Sequence, residues 1–208
     1  MPEQGTGSEP GDRGGRPAVT TPHELAKVAQ RLFVESGFEA TSVDDIALAA
    51  GIGRRTFFRY FPAKADALFA DSPAELERLR VRLEAGTAGE SYRAVLTRAV
   101  VEALSFEPDD REWALQRARL ILTEPVLLAQ ATLVFARWRG TAADFIRRFV
   151  RDDEFFARAV GHAVLAATLA AHEQWITHPD GDLPEALAGM LALMLPAEPP
   201  QRPSPIKA

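Results

Sequence analysis

The sequence predicts an all-helical protein, and three observations carry that expectation. Apolar residues recur at three- and four-residue spacing along nearly the whole chain. No stretch alternates apolar and polar residues in the period-2 pattern of a half-buried strand, and no internal repeat is present. The breaks between periodic segments fall at Gly and Pro, the residues that stop helices most sharply.

Each element then follows in order. Residues 1–20 are rich in Gly, Pro and charge with little to bury, so a disordered arm is expected there. The first helix opens on a capping box, with Thr21 as N-cap, Pro22 at the first position and Glu24 three residues after the cap. Its buried stripe is Leu25, Val28, Ala29, Leu32 and Phe33, and Gly37 ends it. A short second helix spans 43–50, capped by Thr41 or Ser42, with Asp44 and Asp45 suited to its positive N-terminal end. Gly51 stops it, and a third helix runs from about Gly53 to Phe61, where Pro62 forbids continuation. Six further helices are expected over 63–84, 91–105, 110–122, 125–151, 154–177 and 183–195, which makes nine. The Pro-rich segment 196–208 is expected to be a disordered tail. The domains implied are a reading head over 21–66 and a helical body over 67–195.

Composition narrows the function. The chain has 208 residues, 47% hydrophobic and 25% charged, the profile of a soluble globular protein. It contains no cysteine, which excludes disulfides, thiolate metal sites and cysteine nucleophiles, and fits a reducing cytoplasm. No signal peptide is visible at the start, and the apolar run 160–171 holds His162 and is short for a bilayer span, so no membrane partner is expected. The net charge of −5 looks wrong for a nucleic-acid binder until it is divided: residues 11–64 carry +2 and the remainder −7. Residues 53–64 hold four basic side chains and no acid, and it is the local patch that sets phosphate affinity.

Two short helices joined by a tight Gly-containing turn make a helix-turn-helix. Here 43–50, the turn Gly51-Ile52-Gly53 and 54–61 have that spacing. Ile46, Ala47, Ala50, Ile52, Phe57 and Phe61 would bury between these helices and the first. Arg54, Arg55, Thr56, Phe58, Arg59 and Tyr60 would then face outward, offering donors and flat rings to a major groove. Lys64 follows at the start of the next helix, where its ammonium and free N–H groups would hold a phosphate.

The segment from Thr41 to Lys64, TSVDDIALAAGIGRRTFFRYFPAK, closely resembles the DNA-binding signature of TetR-type repressors, over a match of roughly residues 21–70. That resemblance implies a homodimer on a palindromic double-stranded DNA operator and a small-molecule effector. It puts Arg54, Arg55, Thr56, Arg59 and Tyr60 on the DNA-contacting positions and Lys64 on the phosphate anchor, with Phe58, Thr41 and Ser42 completing the set of candidates. Phe58 stands where the family usually has tyrosine, and Gly53 replaces a Ser/Thr cap at a cost of only a few tenths of a kcal/mol. The wording of residues 20–25 and 51–62, with Glu173-Gln174-Trp175, is further similar to regulators linked to mycofactocin biosynthesis. This implies a long-chain acyl-coenzyme A as effector and a repressor's role in the cytoplasm.

The family keeps its ligand pocket in the middle helices, and the candidates here are Phe69, Leu104, Phe106, Trp113, Leu120, Leu133, Phe135, Trp138 and Phe145. Arg117, with Arg119, Arg137 and Arg139, would receive an anionic effector, which would push the helix over 63–84 and so swing the recognition helix. For the dimer, the small residues of 154–177, among them Ala163, Ala167 and Ala170, permit close helix approach. Leu187, Met190, Leu191 and Met194 supply a second stripe, for a four-helix bundle across a twofold axis or the cap of a monomer core. Arg13 and Arg16 of the arm would enter a minor groove or stay idle. No enzyme is expected: His172-Glu173 opens like a metalloprotease helix, but Ile176 stands where the second ligand belongs, and no metal or cofactor motif is present. A drug-responsive repressor of an efflux gene is the alternative within the same family.

Overall fold

The computed structural model describes residues 21–86, 89–149 and 153–197; the leading arm, with Arg13 and Arg16, and residues 198–208 lie outside them. The described residues are all-helical: α1 (Pro22–Ser36), α2 (Val43–Ala50), α3 (Arg54–Tyr60), α4 (Ser72–Glu84), α5 (Tyr92–Ala103), α6 (Arg111–Thr123), α7 (Pro125–Phe149), α8 (Glu154–Thr177) and α9 (Leu183–Met194). Two 3₁₀ turns, over Lys64–Phe69 and Pro108–Asp110, complete them.

The helix starts follow from local chemistry. The Thr21 hydroxyl accepts from the Glu24 N–H at 3.1 Å while Glu24 reaches back to the Thr21 N–H, closing the expected box. Ser42, the second of the two possible caps, does the same with Asp45. Gly51 ends α2 in the left-handed region at φ 68°, where a Cβ would be strained. The N–H of Ile52 then reaches the Ala47 carbonyl at 2.9 Å, a Schellman closure that aims α3 away from α2.

One expected helix is two. The segment 63–84 splits at Ala70–Asp71 into the 3₁₀ turn and α4, because Pro73 has no N–H to give residue 69 and its ring would clash there. Proline is tolerated in the first turn of a helix, so α4 restarts around it.

Two hydrophobic cores result. The smaller joins Leu25, Phe33, Phe38, Ile46, Phe57, Phe61 and Leu68 from the first 70 residues with Leu127, which comes from α7 and is fully buried there. Leu127 arrives because the axes of α6 and α7 turn by 102° at Glu124-Pro125, driving that corner into the helix-turn-helix unit. The larger core is built by α4–α9 around Leu79, Leu96, Ile146, Val160, Leu187 and Leu191, with Leu115 and Ala118 from α6. Gly161 permits the close crossing of α8 on α7: a Cβ there would lie 2.7 Å from the Arg139 carbonyl oxygen. The apolar run of α8 is longer than 160–171. An 18-residue window of this 24-residue helix has a mean hydropathy of 1.2, so by length and composition it could cross a bilayer, yet it packs between α7 and α9 as a core helix.

Candidate nucleic-acid interface and effector cavity

The outward side of α3 carries Arg54, Arg55, Phe58 and Arg59, with Thr56 and Tyr60 half-buried at its margins and Phe57 holding the helix to the core beneath. The arginines are not equivalent. Arg54 pairs with Asp44 of α2 at 2.6 Å and lies 5.3 Å over the Phe58 ring. Arg59 lies 5.1 Å over the Tyr60 ring. Arg55 stands exposed between them, without an ion-pair partner among the described residues. Its guanidinium therefore has its fork of donors available for a bidentate contact. Ser42 is exposed at the α2 start with its hydroxyl 2.6 Å from Asp45.

Two expected DNA contacts have other work. Thr41 is 3% exposed, and its hydroxyl donates to the carbonyls of Gly37 and Leu32 at 2.8 and 3.2 Å, closing the α1–α2 loop from inside. The Lys64 ammonium donates to the carbonyls of Phe38, Glu39 and Thr41 at 2.7, 3.3 and 3.0 Å and sits 4.4 Å from the Phe38 ring centre. All three ammonium protons are matched by protein oxygens, so in this conformation Lys64 clamps the loop and has no proton left for a phosphate.

Behind the reading head lies an apolar cavity of about 130 Å³. Phe69, Leu104, Phe106, Trp113, Arg117, Phe135 and Trp138 line it, as do Ser72, Glu75, Thr168, His172, Trp175 and Leu183, none of which was expected in a pocket. Three expected liners sit elsewhere. Leu120 packs against the small core beside Leu127, because the α6–α7 corner faces the helix-turn-helix. Phe145 is in the large core with Phe149 at 4.9 Å, and Leu133, exposed, edges a separate cleft with Arg137.

Arg117 does not wait for an anion. Its guanidinium holds Glu75 at 2.5 Å and Asp71 at 3.5 Å, with only 16% of the side chain exposed. Among the lining residues Glu75 and Arg117 carry the only formal charges, and they cancel. His172 walls the same space; burial first, then the nearby Arg117, holds its pKa below the usual value of 6.5 and keeps the ring neutral.

The cavity wall is tied to the reading head through α1. Gln30 donates to the Trp113 carbonyl at 2.8 Å, Lys27 pairs with Asp110 at 2.5 Å, and His23 meets Asp71 at 3.1 Å. His23 also packs edge-on to the Trp113 ring at 5.2 Å. Trp113 is thus both a cavity liner and a support for α1.

The expected dimer stripe divides. Ala167, Leu187 and Leu191 are fully buried inside the protomer core and cannot meet a second copy; Ala163, Ala170 and Met190 are half-buried, and Met194 is exposed. The outer faces of α8 and α9 instead present Phe155 and Leu193, 86% and 82% exposed. On α9 the expected row divides because Leu187 and Leu191 turn inward to the large core, leaving Met194 outward beside Leu193. Among the described residues no group of acidic, histidine or cysteine side chains is arranged to hold a metal ion.

Comparison with known proteins agrees with this architecture. The family description "Bacterial regulatory proteins, tetR family" matches residues 25–70, and "MftR C-terminal domain" matches residues 90–199. A Mycobacterium tuberculosis protein named for mycofactocin biosynthesis, the transcriptional regulator MftR, is 35% identical over 84% of this chain and 89% of its own. Among solved structures, the TetR-family repressor FadR of Thermus thermophilus, in complex with lauroyl-CoA, superposes with a TM-score of 0.57 at 24% identity, covering 88% of this chain and all of the other. A complex of SmeT with triclosan has a TM-score of 0.58 at 19% identity over 90% and 99% of the two chains.

Proposed function

Because the chain belongs to the TetR family of transcriptional regulators, with a C-terminal domain of the MftR type, we propose that it binds a palindromic operator as a homodimer in the cytoplasm and represses until a small amphipathic effector fills the cavity. The observation that carries this reading is the unpaired Arg55 on a basic helix face, set on a head whose α1 leans on a cavity-lining tryptophan. Twofold symmetry asks for two half-sites about 34 Å apart, or a multiple of that, so that both α3 helices enter major grooves together. The outer faces of α8 and α9, with Phe155 and Leu193, are the surface offered for pairing.

Release follows from the α6 connection. The lever expected along 63–84 is interrupted at Asp71, whereas α6 meets α1 directly through Trp113, Lys27 and Gln30. A cavity of about 130 Å³ lies below the roughly 300 Å³ where ligand pockets usually begin, so an effector of any length must part the walls. Parting them at Trp113 shifts α1 and with it α3. The effector then has the differential affinity that a switch needs, and operator and effector weaken each other by the same factor. A long-chain acyl-coenzyme A is the first candidate, supported by the subgroup likeness, with the acyl chain inside and the phosphates at the surface. A drug-like effector is the second, supported by the cancelled charge of the cavity.

Footprinting and operator titration test the reading. The expected result is a symmetric footprint whose affinity falls on adding acyl-coenzyme A below its micelle concentration. Arg55→Ala should lose about 1–3 kcal/mol of discrimination at one base position per half-site. A single asymmetric half-site bound by a monomer, or equal losses on operator and random DNA for Arg55→Ala, would overturn it.

A further inference from the structure

The wall of the cavity carries polar atoms with no protein partner. Trp113 Nε1, Trp175 Nε1 and Thr168 Oγ are each buried without a hydrogen bond. An unmet buried donor or acceptor costs folding free energy, and a cluster of them around one space is uncommon in a plain core. His172, half-buried in the same wall, adds an acceptor. Its Nδ1 lies 2.8 Å from the Thr168 carbonyl, which can only accept, so Nδ1 carries the proton and the neutral ring leaves Nε2 as a bare acceptor. Residues that carry two unmatched indole donors, an unmatched hydroxyl and an imidazole acceptor thus line an otherwise apolar space.

The charges around this space select further. Arg117 is committed to Glu75 and Asp71, so a carboxylate entering here would meet two carboxylates sharing one guanidinium, and an acceptor-only head would face the His172 lone pair. A hydroxyl meets both demands: it accepts from an indole N–H and donates to imidazole Nε2.

We propose that the part of the effector lodged in this cavity is uncharged and bears a hydroxyl, a phenol or an alcohol on an apolar frame, with His172, Trp113 and Trp175 as its specificity determinants. This rests on the reading of the cavity as the effector site and chooses between its two candidates: a plain acyl chain offers neither hydrogen bond, so the drug-like effector is favoured over the acyl-coenzyme A. A space of this volume is close to the roughly 150 Å³ that takes one benzene ring. Probes of that size therefore test it without large rearrangement.

The experiment is calorimetric titration of the full-length protein, free of DNA, with 4-ethylphenol, ethylbenzene and 4-ethylbenzoate. The phenol should bind about tenfold more tightly than the hydrocarbon, as two ordinary hydrogen bonds allow, and the benzoate should bind weakest. His172→Leu and, separately, Trp175→Phe should each bring the phenol within about threefold of the hydrocarbon while leaving hydrocarbon binding in place. The wild-type ranking needs no variant to fold. Equal binding of phenol and hydrocarbon, a preferred benzoate, or no binding of any probe would overturn the proposal. Operator titration is independent: a wrong ranking with intact operator binding removes only the ligand class, and a right ranking without palindromic binding removes only the regulatory reading.

Discussion

Replacing Lys64 by methionine keeps most of the aliphatic stem and removes the ammonium, and with it three hydrogen bonds to the α1–α2 loop and the contact over Phe38. A hydrogen bond to a charged group is worth about 1.5–3 kcal/mol net, and an aromatic–cation contact about 0.5–1. These bonds share one half-exposed ammonium and one is long at 3.3 Å, so they do not add in full; about 3 kcal/mol for the whole clamp follows from those ranges. For a chain of this size that lowers the melting temperature by roughly 6–12 °C. Operator affinity should fall as well, through a loosened head. The dependence of log affinity on log salt should keep its slope when measured well below the transition, because no phosphate contact has been removed. Calorimetric melting and operator titration over a range of KCl check both. An unchanged melting temperature together with a slope reduced by about 0.9, the signature of one lost phosphate contact, would refute the clamp and return Lys64 to the DNA.

Three other outcomes are expected. Gly161→Ala must push the α7 backbone at Arg139 from a Cβ contact of 2.7 Å, and thermal melting should show a loss of about 1–3 kcal/mol; an unchanged melting temperature would mean that α8 has room to move off. Leu193→Glu places a charge on an outer face that already faces water in the protomer, so the chain should stay folded while sedimentation shows monomers; a dimer that persists would place the interface elsewhere. His172 has a folded pKa below its unfolded value of 6.5, so its contribution to stability is full above that value and declines as pH falls below it. Wild type should therefore lose more stability than His172→Gln between pH 7.5 and 5.5 in urea titrations, and parallel losses would remove His172 as the cause.

What was legible in the sequence is what depends on neighbours three or four residues away. The Thr21–Glu24 box and the Gly51 stop are local, and the outward row of α3 follows from the helical period once Phe57 and Phe61 are assigned inward. The break before α4 has its signal in Pro73, but apolar periodicity continues across it. The inward place of Thr41 is not legible, because its hydroxyl partners, Leu32 and Gly37, are chosen by how the loop turns back, which the spacing does not express. On α9, Leu187 and Leu191 compete with Leu193 for the inside, and packing against neighbouring helices decides between rows that the period alone leaves equal. Glu75 and Arg117 are 42 residues apart, so the pair that neutralises the cavity has no signature along the chain.

Leu127 makes the sensor a structural part of the reader. A head cut from the chain would keep its three helices and lose the side chain that fills its floor, leaving a void of the kind that costs about 2–5 kcal/mol in a folded core. The two halves are therefore poor modules for exchange: a chimera that grafts this head onto another regulator's body inherits a socket without its knob. Compatibility between heads and bodies in such grafts should track the residue that occupies the corner after Pro125 more closely than it tracks likeness along the joined surfaces.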